Sequence, residues 1–368
     1  MTQSTFLSVT HDLTIGHEAA IESTPATRSD PAGTGLEAPE RLLSTFGVVV
    51  IGRNEGERLK RCLESLSGLM SRTVYVDSGS SDDSVAMSRA RGASVVELDR
   101  KIPFTAARAR NEGYRRLLEL HPALESVFFV DGDCEVATGW PAAAVSFLEQ
   151  HQWVATVWGR VRERHPERSI YNRLCDMEWQ AFQVGETTAC GGNAVMRTRA
   201  FRQVNGFESR LICGEEPELC VRLRRAGWQI WHIEPEMILH DAALHRFSQW
   251  WTRAVRSGYA YAQGAHLHGR GPERHWVSEA RRIWFWGLWV PVMGLAATVL
   301  VGPWALLGAA LAYPLLVLRI ATKGGKEMTH RWLRASALVL GKFPEMLGQV
   351  KFTWDLLRKV ESPIIEYK

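Results

Sequence analysis

Between Phe46 and Asp133 the chain alternates short β-branched runs with stretches of helical periodicity, and nearly every run stops at a polar cluster. Residues 46–51 (FGVVVI) read as a strand buried on both faces, broken by Arg53-Asn54-Glu55-Gly56. Leu59, Cys62, Leu63 and Leu66 then recur at helical spacing. Residues 73–76 make a second strand that ends at 77–82 (DSGSSD), and a helix over 84–91 leads to a third strand over 94–98. Residues 106–120 are helical, and 126–130 (SVFFV) run into Asp131-Gly132-Asp133. Such β-α-β-α alternation specifies a doubly wound, mostly parallel sheet with helices on both faces. Ligands of such sheets bind at the carboxyl ends of strands, where the clusters 53–55, 77–83 and 131–133 all fall. One shared site is therefore expected.

Beyond Asp133 the pattern is mixed. Residues 154–161 and 230–233 are strand-like, 169–183 helix-like, and 216–226 a helix carrying Leu219, Val221 and Leu223. Residues 191–193 (GGN) are a turn leading into 194–197.

Composition matters chiefly through its distribution. The formal net charge of +4, from 44 basic and 40 acidic residues, gives no case for a nucleic-acid footprint. From Arg319 to Lys368 the balance is +5, so the rest of the chain is near neutral. Eleven of the 15 Trp lie between Trp228 and Trp354. Residues 283–318 contain no charge, and Gly302-Pro303 divides them into arms of 19 and 15 residues. The first arm just crosses a hydrocarbon core of about 30 Å and the second is marginal, so a membrane hairpin is expected, with a re-entrant pair as the alternative. Arg281 and Arg282 precede it and Lys323, Lys326, Arg331 and Arg334 follow, which puts both flanks on the cytoplasmic side. Trp284, Trp286 and Trp289 fit an interfacial belt. Residues 333–357 read as amphipathic helices, either lying on anionic lipid or packed on the preceding domain.

The six cysteines show neither a CxxC pair nor zinc spacing, as expected of free buried thiols in a reducing compartment. The N-terminus lacks a basic stretch followed by an apolar run and is not a signal peptide. The organisation expected is a mobile leader over 1–45, a catalytic domain over 46–270, a connector and membrane hairpin over 271–320, and a basic amphipathic tail over 321–368.

Two motifs carry chemistry. Asp131 and Asp133 flank a glycine at a strand end, a hard-oxygen arrangement suited to a divalent cation that bridges to phosphate oxygens. Glu215, Glu216 and Glu218 open a helix, where acids complement the helix dipole. Paired acids in an apolar site also raise one another's pKa, which suits a general base.

The set formed by residues 49–55, 76–82, 109–113 (ARNEG), 131–133, 191–193 and 214–222 resembles the family-two inverting glycosyltransferases of GT-A fold. The resemblance covers about residues 46–262 and keeps the order of all these elements. It implies a GT-A sheet with a Rossmann-like nucleotide-binding half, followed by membrane-associated helices. It implies that Arg53, Asn54 and Glu55 line the nucleotide pocket, Asp77 contacts base or ribose, and Arg110 approaches the phosphates. Asp131 and Asp133 would hold the diphosphate, Asp133 through Mg²⁺ or Mn²⁺, with His240 as a further metal ligand or a structural histidine. Gly191, Gly192 and Asn193 would shape the sugar pocket, with Glu215 beside them. Glu216 takes the place of the family's catalytic Asp, one methylene longer, so Glu215 and Glu218 remain rival bases. Ser78 stands where many members have a second Asp. Residues 249–253 (QWWTR) depart from the Q-x-x-R-W pattern of processive synthases, which implies transfer of single sugars. Arg253, Arg256 and residues 258–263 form either a lid over the donor or a packing helix.

The expected activity is metal-dependent, inverting transfer of one sugar from a nucleotide-sugar, a UDP-sugar by preference, to a lipid-linked or other membrane-proximal glycan. The expected place is the cytoplasmic face of a bacterial plasma membrane, in surface-polysaccharide assembly. The alternatives are a sugar nucleotidyltransferase, for which residues 53–56 are a poor phosphate loop, and a silent nucleotide-sugar-binding scaffold.

Overall fold

The computed structural model describes residues 43–323 and 330–360. The leader expected over 1–45 falls almost entirely outside these, as do Lys326 and the last eight residues of the tail.

Nine strands form one sheet in the order β3-β2-β1-β4-β8-β6-β9-β5, with β7 paired to β9. The first half is parallel: β1 (Phe46–Gly52) lies between β2 (Thr73–Asp77) and β4 (Ser126–Asp131), and β3 (Ser94–Glu97) forms the edge. Every residue of β1, β2 and β4 is buried, because α1 (Glu57–Ser65), α2 (Ser84–Ala90) and α3 (Ala106–Leu120) cover the faces. The register pairs Gly52 with Asp77 and Ile51 with Asp131, so the three polar strand ends lie side by side.

The second half is mixed. β8 (Ala194–Arg197) runs antiparallel to both β4 and β6 (Val154–Glu163), and β6 is parallel to β9 (Gln229–His240). Three elements carry no clear signal in the sequence: β5 (Cys134–Val136), α4 (Trp140–Gln150) and β7 (Gly185–Thr187). β5 and β7 are three residues each and exist by pairing with β9. The helix expected over 169–183 ends early, as α5 (Ile170–Trp179).

Gly113 sets how closely α3 approaches the sheet. A Cβ there would lie 2.4 Å from a Val49 methyl and 2.8 Å from one of Val76. Thr105 caps the helix by accepting the Arg108 N–H at 3.0 Å and donates its hydroxyl to the Ser209 carbonyl. Arg110 is thereby delivered beneath the strand ends. After α6 (Thr198–Gln203), α7 (Glu215–Arg225) starts at Gly214, whose φ of 78° lies in the left-handed region that glycine adopts freely.

From α8 (Phe247–His268) the chain passes through α9 (Val277–Trp284) and a π turn (Phe285–Trp289) into α10 (Val290–Val301). Gly302 breaks the course before α11 (Trp304–Lys323). The continuous helix Val277–Val301 and α11 are both long and apolar enough to cross a membrane, and they are longer than the uncharged arms. They have almost no buried residues, with Val299 and Leu300 more than 80% exposed, so they are not a soluble core pair.

α12 (Arg331–Leu340) and α13 (Lys342–Arg358) follow. α13 packs on α8 through backbone contact: a Cβ on Gly258 would fall 1.8 Å from the Glu345 carbonyl oxygen, and one on Gly348 2.0 Å from that of Val255. The tail is thus joined to the catalytic domain, while Leu347, Val350, Trp354 and Leu357 remain exposed. The same packing settles the fate of residues 253–263. Arg253 is buried against Glu178 at 2.8 Å, and Arg256 donates to the Ile212 carbonyl at 2.9 Å. They form a packed helix, not a lid, because their charges are consumed within the fold.

Candidate active site

The three strand ends are tied to one another before any ligand is considered. Asp77 accepts the N–H groups of Gly79 and Ser80 at 2.9 and 2.8 Å and the Tyr75 hydroxyl at 3.1 Å. Its carboxylate folds its own loop. Asn54, held at a φ of 54°, accepts the Ser81 N–H at 2.7 Å, and Asp82 accepts the Gly56 N–H at 3.2 Å. Glu55 is buried and paired with Arg58 at 2.7 Å. Arg53 lies over the Phe104 ring, 5.8 Å from its centre. Arg53, Asn54, Glu55 and Asp77 therefore gather at one mouth, with several polar atoms already spent on its shape.

At the centre lies Arg110, fully buried. Its Nη2 is 3.0 Å from Asp131 Oδ1, and its Nη1 is 2.7 Å from Glu215 Oε1 and 2.8 Å from Glu216 Oε1. Phe207 stacks beneath the guanidinium at 5.6 Å. Arg110 thus serves three carboxylates where a place at the nucleotide phosphates was expected. Gly192 adjoins all of these groups: a Cβ there would be 2.7 Å from Arg110 Nη2, 3.0 Å from Glu216 Oε1 and 3.1 Å from Asp131 Oδ2. Asn193 accepts the Asp131 N–H at 2.9 Å and fixes the end of β4.

One guanidinium does not neutralise three buried carboxylates. Burial, reinforced by the charge of Glu215, pushes the Glu216 carboxyl up to about 8 despite Arg110. Burial also raises Asp131. Glu218 lies outside this group, paired with Arg222 at 2.6 Å and His268 at 2.8 Å. That leaves Glu215 and Glu216 facing the strand ends.

A second group adjoins the first. Ligand atoms of Asp133, Cys134 and His240 lie within 4.8 Å of one another, all buried. The register of β5 against β9 pairs Cys134 with His240. His240 Nε2 is 3.7 Å from Asp133 Oδ2, and its Nδ1 is 2.8 Å from Glu163 Oε2. A proton on Nδ1, donated to Glu163, turns the Nε2 lone pair toward Asp133. Burial pushes the Cys134 thiol far above its usual range, and sulfur is a soft donor that suits a hard cation less well than oxygen or imidazole. A carboxylate and an imidazole with a carboxylate behind it fit a divalent cation of the Mg²⁺ or Mn²⁺ kind.

Sequence reasoning missed Glu163. It ends β6, directly across from His240 in the register, and also accepts the Ala242 N–H at 3.2 Å. Its signal was present: β6 alternates at its end, Val161 in, Arg162 out, Glu163 in, so an acid occupies an inward position.

Residues 47–204 match the model of glycosyl transferase family 2. Residues 47–204 carry that family's domain. The family 2 match ends before α7, so Glu215, Glu216 and His240 are placed by geometry alone. A mannosyltransferase from Pyrobaculum calidifontis, solved with GDP-mannose and Mn²⁺, shares the fold at a TM-score of 0.52 and 19% identity, over 86% of this chain and 93% of that one. Glucosyl-3-phosphoglycerate synthase from Mycobacterium tuberculosis, solved with Mn²⁺, UDP and glucosyl-3-phosphoglycerate, aligns at 0.45 and 18% identity over 66% and 87% of the two chains. No curated protein sequence matches the chain significantly. The glycosyltransferase therefore has an α/β GT-A architecture followed by two long apolar helices.

Proposed function

We propose that this glycosyltransferase moves a single sugar, with inversion, from a nucleotide-sugar, a UDP-sugar by preference, to a lipid-linked or other membrane-proximal glycan acceptor. The observation that carries the reading is the convergence of Glu216, Asp131 and Arg110 on Gly192, with the Asp133 and His240 pair at the end of the strand that carries Asp131. Glu216 takes the proton of the acceptor hydroxyl, which then displaces the nucleoside diphosphate in line from the opposite face of the sugar. A carboxyl raised toward neutrality is a strong enough base for that proton and is still ionised in part at working pH. Glu215 and Arg110 hold it in place. Asp133 and His240 would hold Mg²⁺ or Mn²⁺, whose chemistry is to offset the charge developing on the leaving diphosphate. Arg53, Asn54, Glu55 and Asp77 shape the nucleotide mouth, and Gly191, Gly192 and Asn193 the sugar pocket.

The two apolar helices are read as the anchor, with the catalytic domain on the cytoplasmic face. At 1.5 Å per residue their 25 and 20 residues reach across a core of about 30 Å. Arg281 and Arg282 at one end and Lys323 at the other keep both flanks on one side. Surface-polysaccharide assembly is the setting that fits this placement. The reading is tested by incubating the detergent-solubilised full chain with a panel of nucleotide-sugars, UDP-glucose and GDP-mannose among them, with Mn²⁺ or EDTA. Release of nucleoside diphosphate that needs the metal and disappears in Glu216→Gln is expected; release that survives in Glu216→Gln overturns the assignment of the base.

A further inference from the structure

A cleft of about 1170 Å³ lies between the active site and the root of the apolar helices. Its walls are residues 183–189, Pro217 of α7, Tyr261 of α8, and residues 273–282. Pro217 directly follows Glu216, so the inner end adjoins the turn that carries the base. Val277 to Arg282 are the first turns of the helix that continues as the apolar stretch Val277–Val301. The cleft therefore runs from Pro217, one residue beyond the buried Glu216, to the place where the chain leaves the globular domain.

The outer wall is built and not loose. Arg274 and Trp276 both take left-handed backbone conformations, with φ of 45° and 57°, which non-glycine residues hold only when their surroundings impose them. Trp276 supplies the reason. It is wedged between α7 and α8: a Cβ on Gly214 would meet its ring at 2.9 Å and one on Gly264 at 2.4 Å. His275 stacks on its ring at 4.3 Å and Tyr261 meets it edge-on at 5.1 Å.

The charge of the rim is selective. Glu273 is bound by Arg225 through contacts of 2.8 to 3.1 Å, and Arg224 donates to the Thr188 carbonyl. Arg274 and Arg281 are exposed, and neither has an ion-pair partner among the described residues. Glu186 and Glu279 also stand on the walls, and among the cleft's cations these two guanidiniums are the ones open to an anionic oxygen cluster.

We propose that this cleft is the acceptor site and that it takes a phosphate-linked glycolipid, Arg274 and Arg281 binding the phosphate while the lipid chain stays with the bilayer and a sugar hydroxyl beyond the phosphate supplies the nucleophile for Glu216. The proposal rests on the reading of Glu216 as the base and names the acceptor class for that same site. A free phosphate-bearing acceptor shares the head-group chemistry, and the test separates the two.

The full chain in detergent micelles is titrated with farnesyl phosphate, farnesol and inorganic phosphate, binding being followed by tryptophan fluorescence. Farnesyl phosphate is expected to bind at least tenfold more tightly than either of the others. Arg274→Gln with Arg281→Gln is expected to weaken it at least tenfold, with Arg281→Lys restoring part of the loss. Arg281→Gln alone, on the exposed first turns of α9, serves if the double variant melts early. Equal affinity for inorganic phosphate overturns the lipid assignment, and unchanged affinity in both variants overturns the site. Donor turnover is scored separately on the wild-type chain. If nucleotide-sugars are consumed but farnesyl phosphate does not bind, only the cleft assignment fails. If farnesyl phosphate binds but no nucleotide-sugar is consumed, the fault lies with the donor reading.

Discussion

Arg110 Nη1 lies 2.8 Å from Glu216 Oε1, and both groups are buried. The same nitrogen is 2.7 Å from Glu215, and its neighbour Nη2 is 3.0 Å from Asp131. Burial is what chiefly makes the Glu216 carboxylate basic here, and the neighbouring charge of Glu215, with one cation shared among three acids, adds to it. A lone buried Glu–Arg pair has the opposite tendency.

The first consequence concerns the base itself. Glu216→Gln is expected to lower the rate of transfer about 10²- to 10⁴-fold, the usual span for loss of a general base, with the nucleotide still bound. Glu215→Gln is expected to cost less. Single-turnover assays with calorimetric measurement of UDP binding check both, and equal losses in the two variants would reverse the ranking.

A second concerns pH. Glu216 acts in its ionised form, and its carboxyl is raised to about 8. The rate at limiting substrate should therefore rise from pH 6 through pH 8 and level off above it. Arg110 favours the ionised form, so Arg110→Gln should move the midpoint further alkaline. It should also cost stability, about 3–5 kcal/mol by the usual penalty for removing one partner of a buried ion pair. A profile already flat at pH 6 in the wild type would contradict the assignment.

The third concerns Glu163. If it holds the His240 ring, Glu163→Gln should weaken Mn²⁺ binding about 10- to 100-fold, as loss of a carboxylate behind a metal-bound histidine generally does. Mn²⁺ electron paramagnetic resonance on the protein with UDP reads this directly. An unchanged signal would leave Glu163 as a purely structural partner.

Two glycines separate folding from chemistry. Gly113→Ala places a methyl 2.4 Å from Val49 and is expected to destabilise by about 1–3 kcal/mol through overpacking, measurable by denaturant titration. Gly192→Ala pushes against Arg110, Glu216 and Asp131 together and is expected to reduce turnover more than it reduces the melting temperature. The reverse order would place Gly192 with the core.

Deletion of residues 290–323, joined by a short Gly/Ser linker, should move the protein from the membrane pellet to the soluble fraction after carbonate washing. Retention in the pellet would assign the anchoring to the exposed apolar residues of α13.

The parallel half of the sheet was legible because its information is local. Buried strands read as unbroken runs such as 46–51, their polar ends are adjacent in sequence, and the register simply sets them side by side. The acids at 131, 133 and 216 stood out for a similar reason, each being marked by its immediate neighbours in sequence. What escaped depends on contacts between distant segments. Glu163 gains its meaning only across the β6–β9 pairing, and three-residue strands such as β7 have too few residues to show a period. The ion pairs of Arg110 were not legible, since three carboxylates from two separate segments converge on it only once α3 and α7 are placed. Packing of the tail on the domain was one of two readings, but its partner α8 was not legible, because glycines signal close approach without naming the partner.

That last contact bears on which molecules can react. Gly258 and Gly348 bring two backbones together so closely that α13 is seated directly on α8. With the apolar helices as the proposed anchor and Glu216 as the proposed base, an enzyme so mounted would work at a set height above the membrane. Donors arrive from three-dimensional solution, acceptors by sliding in two dimensions, and only those whose hydroxyl rides at the depth of Glu216 meet the base. Reach, as much as side-chain recognition, then selects the substrate.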